Sequence, residues 1–83
     1  MILVQQVQAA RMLVGWTQAD LAASAGIALG TLKRLEAKEG PLGGAAETVW
    51  KIQKALEDAG IIFLAVEGSL GPGVRLSQPR KWL

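Results

Sequence analysis

The sequence predicts a mainly α fold, with four helices followed by a short C-terminal β-hairpin. Three observations point to it. Apolar residues recur at helical spacing through most of residues 2–59. Gly15, Gly26 and Gly60 stand where successive helical patterns break. After Gly60 the period changes to the continuous apolar run Ile61-Ile62-Phe63-Leu64-Ala65-Val66, rich in β-branched residues.

The first helix is expected over Ile2 to Val14, with Val4, Val7, Arg11 and Val14 on one face, Ala10 beside them, and the Gln residues mainly on other faces. Gly15 ends it. Thr17 is a suitable N-cap for a second helix at about 18–25, whose first turn holds Asp20 at the positive end of the helix dipole. Leu21, Ala22 and Ala25 form its buried stripe, and Gly26 supplies the positive φ that stops it. A third helix, at about 28–38, turns Leu32 and Leu35 inward and leaves Thr31, Lys33, Arg34 and Lys38 to solvent or a ligand. Residues Glu39 to Gly44 read as a loop. The fourth helix, about Ala45 to Ala59, buries Val49, Ile52, Leu56 and Ala59, with Trp50 beside that stripe. Ile61 to Val66 reads as a strand, Glu67 to Gly73 as a turn, and Val74-Arg75-Leu76 as the returning strand. Residues 1–60 thus form one unit, and residues 61–83 a hairpin and tail.

The chain has 83 residues, enough for a single small domain. It contains no Cys and no His, which removes the usual nucleophilic thiol, the usual general base and the usual metal ligands together. No enzymatic activity, no metal and no cofactor are expected. Ser24 has no His or Lys partner to activate it. The absence of disulfides suits a cytoplasmic location. The start is not read as a signal peptide, because Gln5, Gln6 and Gln8 interrupt its apolar run, and no run approaches the ~20 residues of a membrane span. Nine basic and seven acidic residues give a net charge of +2, which permits an anionic partner without demanding one.

The informative stretch is Thr17-Gln-Ala-Asp-Leu-Ala-Ala-Ser-Ala-Gly-Ile-Ala-Leu-Gly-Thr-Leu-Lys-Arg-Leu-Glu36. Two short helices joined by a tight Gly turn cross steeply, as in a helix-turn-helix. Ala22 is small where the backbones approach, Gly26 allows the turn, and Leu21, Ala25, Ile27, Leu32 and Leu35 supply a shared core. The segment resembles the phage repressor/Cro-type helix-turn-helix family (Xre family) through Trp-Thr-Gln-Ala-Asp-Leu-Ala, then Ala-Gly-Ile, then Thr-Leu-Lys-Arg-Leu-Glu. The resemblance spans the first four helices.

It implies a repressor-like DNA-binding domain whose third helix lies in the major groove of double-stranded DNA. Gln18 would then meet a phosphate at the start of the second helix. Leu29, Gly30 and Arg34 would face the bases, and Thr31, Lys33 and Lys38 would sit near the backbone or groove edge. Arg11 and Glu36 match a pair that forms an internal salt bridge in this family. The expected role is transcription regulation.

Two positions depart from the family pattern. Ala28 stands where Ser or Thr usually caps the third helix, which costs about 1 kcal/mol. Gly30 offers no side chain to a base, leaving Arg34 as the main base reader and part of the specificity to DNA shape. These departures leave open a second class, a protein-interaction module or antitoxin that keeps the fold and binds a partner protein. The apolar hairpin or the tail bearing Trp82 would supply its surface. A single hairpin is marginal alone and has open edges. A homodimer is therefore expected through Ile61, Ile62, Phe63, Leu64, Val66, Val74 and Leu76, reading a pseudo-palindromic operator.

Overall fold

A computed structural model describes residues 1–79. It is mainly helical, with α1 (Val4–Val14), α2 (Gln18–Ala25), α3 (Leu29–Glu36) and α4 (Ala46–Asp58), followed by β1 (Ile61–Leu64) and β2 (Gly73–Leu76). The two strands form an antiparallel hairpin at the C-terminal end. No helix among the described residues is long and apolar enough to cross a membrane.

Local sequence accounts for the first two helix ends. Gly15 and Gly26 both take the left-handed conformation, with φ of 74° and 71°. At the first, the Trp16 N–H donates to Arg11 O (2.9 Å); at the second, the Ile27 N–H donates to Ala22 O (3.0 Å). The same C-terminal motif thus satisfies the otherwise unpaired carbonyls of both helices. At the start of α2, the Asp20 N–H donates to Thr17 Oγ1 (3.1 Å) and the Thr17 N–H donates to Asp20 Oδ2 (2.9 Å). Asp20 is therefore a reciprocal cap as well as a favourable charge. By contrast, α3 and α4 start at Ala28 and Ala45 with no side-chain cap.

Leu21, Leu32, Ile52, Leu56, Val4 and Val7 are the largest fully buried side chains. They draw all four helices around one core, which Ile2, Ala10, Ala22, Ala25, Ala55 and Ile61 extend. Val49 and Ala59, expected inside, are half-buried at the edge of the α4 stripe, and Trp50 is exposed.

Several boundaries differ from expectation for reasons that lie outside the local sequence. The first helix begins at Val4 because the preceding residues pair with the α3–α4 loop. Val4 N–H donates to Gly40 O (2.8 Å), and Leu42 N–H donates to Ile2 O (2.9 Å). That tie draws the chain away after Glu36, so α3 ends two residues early and Lys38 lies beyond it. β1 stops at Leu64 rather than Val66, because Glu67 and Leu70 close a turn on themselves through two backbone bonds. Gln6, expected on an outer face of α1, is buried. Its Nε2 donates to Leu64 O (3.2 Å) and Gly73 O (2.9 Å), while its Oε1 accepts from the Leu3 N–H (2.7 Å). One side chain thereby caps α1 and fastens it to the last pair of the hairpin.

The hairpin also corrects the residues expected to build a dimer. Ile61 belongs to the chain's own core, and Phe63, Val74 and Leu76 pack against that core. Ile62, Leu64 and Val66 are the members of that set that remain exposed. Trp82 and its neighbours Arg80 and Lys81 lie outside the described residues.

Candidate nucleic-acid interface

The α3 helix has two different sides. Leu32 and Glu36 are buried, and Leu29 and Leu35 are half-buried against the core. Gly30, Lys33, Arg34 and Ala37 follow one another at three- and four-residue spacing and are all exposed. The outward strip therefore carries one residue without a side chain, two cations and one methyl group. Thr31 is half-buried at its border, and Lys38 is exposed just beyond the helix.

The inward side is fixed by a polar network. Arg11 Nε donates to Glu36 Oε2 (2.9 Å), and Arg11 Nη2 donates to Glu36 Oε1 (2.6 Å). Arg11 Nη1 also reaches Trp16 O (3.1 Å) in the α1–α2 turn. Gln18 Nε2 donates to Glu36 Oε1 (3.2 Å), and Gln8 Nε2 donates to Glu36 O (3.1 Å). The carboxylate of one α3 residue thus collects donors from α1 and α2, and its backbone carbonyl collects another. A bidentate pair with added hydrogen bonds offsets the desolvation of a buried charge and fixes orientation.

Electrostatically, the described cations divide into two groups. Arg11 is paired with Glu36, and on α4 Lys51 and Lys54 are paired with Glu47 and Asp58, each at 3.3 Å. Lys33, Arg34, Lys38 and Arg75 make no ion pair among the described residues, and the first three lie on or beside α3. Arg34 and Lys38 also border a concavity with Glu39 and the glycines at 43 and 44. Three uncompensated cations on and beside one short helix create a local positive surface that the net charge of +2 does not reveal.

The structure therefore brings Lys33, Arg34 and Lys38 together with Gly30 on one exposed surface. It does not leave the other expected contacts equally available. Leu29 is half-buried on the core, and the Gln18 amide is engaged by Glu36. Sequence reasoning missed Gln8 and Gln6 as structural ties. The one local signal for Gln6 was its place three residues after Leu3, where a Gln side chain reaches back to a helix start. No protein-family model matches the chain, and no curated protein matches it.

Proposed function

We propose that the chain is a sequence-specific DNA-binding transcriptional regulator of the repressor/Cro type. In this reading α2 and α3 are a helix-turn-helix, and α3 enters the major groove. The observation that carries it is the contrast between the two sides of α3. Lys33 and Arg34 stand exposed and uncompensated, while Leu32 and Glu36 hold the same helix against its neighbours. A reading element needs that combination, because base contacts demand side chains aimed from a rigid support.

Arg34 is assigned bidentate bonds to guanine O6 and N7, and Lys33 and Lys38 contacts to phosphates. Gln18, being bonded to Glu36, positions α3 rather than meeting phosphate with its amide. The protein acts as a two-fold dimer on a pseudo-palindromic operator, its two α3 helices facing major grooves ~34 Å apart.

Selection of bound fragments from a random duplex library, with Arg34→Ala run in parallel, tests this reading. A two-fold repeated motif enriched by the parent chain and lost with Arg34→Ala is the expected result. Equal enrichment by both chains removes Arg34 from base reading. No enrichment by either overturns the function and favours a module that binds a partner protein. That second reading draws on one observation. Among Gln18, Leu29, Gly30 and Arg34, only Arg34 presents a polar side chain with no hydrogen-bond partner among the described residues.

A further inference from the structure

The strand β2 has an open edge. Its sheet holds two strands, so β2 is paired on one side only. The hydrogen bonds show which of its groups face outward. The Ser77 N–H donates to Gly60 O (2.8 Å), which makes Gly60 and Ser77 a hydrogen-bonded pair in the register that opposes Ile61 to Leu76. Such pairs recur at every second position of an antiparallel ladder, here at Ile62–Arg75 and Leu64–Gly73. The Gln6 amide agrees, because it reaches Leu64 O and Gly73 O together, and opposed carbonyls converge only in a hydrogen-bonded pair. The N–H and C=O groups of Val74 and Leu76 therefore point away from β1. No further hydrogen bond among the described residues reaches them.

A concavity of about 420 Å³ lies beside this strand, walled by Leu13 of α1, Val74 and Leu76, with Pro79 at its rim. Leu13, Val74 and Leu76 are half-buried and pack against the core, so the concavity is an apolar margin of that core. Unpaired main-chain groups beside an apolar groove suit a further extended segment, which bonds the edge and puts alternate side chains into the groove. The order of the sequence indicates which segment. From Pro79 the chain continues with Arg80, Lys81, Trp82 and Leu83, which lie outside the described residues. Trp82 follows the rim residue by three positions, a span of at most about 10 Å. Residues 80–83 equal β2 in length, and Pro79, which has no N–H to give a ladder, suits the turn before them. Successive side chains of an extended segment point to opposite sides. Trp82 brings the largest apolar area of the four residues to such a groove.

We propose that residues 80–83 fold back along the outer edge of β2 of their own chain and seat the Trp82 indole over Leu13, Val74 and Leu76. The N–H groups of Val74 and Leu76 then find main-chain acceptors in that segment. Trp82 completes the margin of the core and is withdrawn from any surface for a partner protein. The inference goes beyond the DNA-binding reading and stands without it.

Nuclear magnetic resonance of the full chain without DNA tests it, with the Trp82 indole signal identified by its loss in Trp82→Ser. In the parent chain, nuclear Overhauser contacts are expected from that indole to the methyl groups of Leu13, Val74 and Leu76. Amide exchange at Val74 and Leu76, measured relative to Leu21 in α2, is expected to be at least about fivefold faster in Trp82→Ser, the scale of one net hydrogen bond. The variant changes no residue of the described core, so it keeps the fold in which the comparison is made. A mixture of isotope-labelled and unlabelled chains separates contacts within one chain from contacts between two. An indole with no contact to Leu13, Val74 or Leu76 overturns the proposal, as does equal relative exchange in the two chains. Contacts that arise only between differently labelled chains also overturn it, because they assign the edge to the segment of a second copy.

Discussion

Arg11 grips Glu36 through two parallel hydrogen bonds, joining the middle of α1 to the last residue of α3. The two ends of the pair are not equivalent. The Glu36 side chain is 1% exposed, whereas the Arg11 side chain is 18% exposed. Removing the arginine leaves a buried carboxylate without its counter-charge and with the Gln18 amide as its remaining partner, while neutralising the glutamate leaves a guanidinium that still bonds Trp16 O and touches solvent. Arg11→Met is therefore expected to cost about 3–5 kcal/mol. Glu36→Gln is expected to cost about 1–2 kcal/mol, the scale of weakened hydrogen bonds. Urea unfolding of both variants measures the difference, and equal losses would show that burial of the carboxylate is not what makes the pair important.

Gln6 carries a second polar role that is local in its effect. Truncation leaves the Leu3 N–H and the Leu64 and Gly73 carbonyls without that partner. Gln6→Leu keeps the volume and removes all three bonds, with an expected cost of about 2–3 kcal/mol. Because two of the bonds end on the hairpin, hydrogen exchange is expected to quicken in residues 61–64 and 73–76 before it does in α2. A uniform loss of protection would mean that Gln6 serves the global core and not the hairpin attachment.

Arg11, Glu36 and Gln6 show where the sequence was legible and where it was not. The ends of α1 and α2 were readable because glycine and a Thr/Asp cap act within a few residues of themselves. The Arg11–Glu36 pair became visible only through family resemblance, since its members are 25 positions apart. The Gln6 contacts span 58 and 67 positions, and nothing beside Gln6 announces them. The same holds for the end of α3, which depends on a loop pairing back to Ile2 and Val4. Of the outward strip of α3, Lys33 and Arg34 were readable from spacing, whereas Gly30 came through the family resemblance and Thr31 proved half-buried. The engagement of Gln18 by Glu36 was not readable, because it depends on how α2 and α3 cross.

The start of α3 is a place where stability is open to improvement. Ala28 has extended backbone angles suited to a cap, with φ of −68° and ψ of 140°, but no side-chain acceptor. Ala28→Ser is expected to add about 1 kcal/mol. An added Cβ at Gly30 meets no heavy atom within 4 Å, so Gly30→Ala is expected to add up to about 1 kcal/mol through helix propensity. For a domain of this size the double variant should raise Tm by about 5–15 °C in a calorimetric scan. A fall in Tm with Gly30→Ala would mean that the helix start requires glycine for a reason other than space.

Arg34 and Lys38 provide the sharpest test of how the positive surface works, because they differ in the role assigned to them. A phosphate contact contributes affinity without regard to sequence and releases counterions, so Lys38→Ala is expected to weaken all duplexes to a similar extent. It should also lower the slope of log affinity against log salt by about 1 per protomer. A base contact contributes discrimination, so Arg34→Ala is expected to cost about 1–3 kcal/mol on the selected operator and much less on random duplex. Fluorescence anisotropy over a salt series, with operator and random duplex side by side, separates the two. If both substitutions lower specific and random binding alike, the α3 surface is an electrostatic contact only, and base reading must come from elsewhere in the chain.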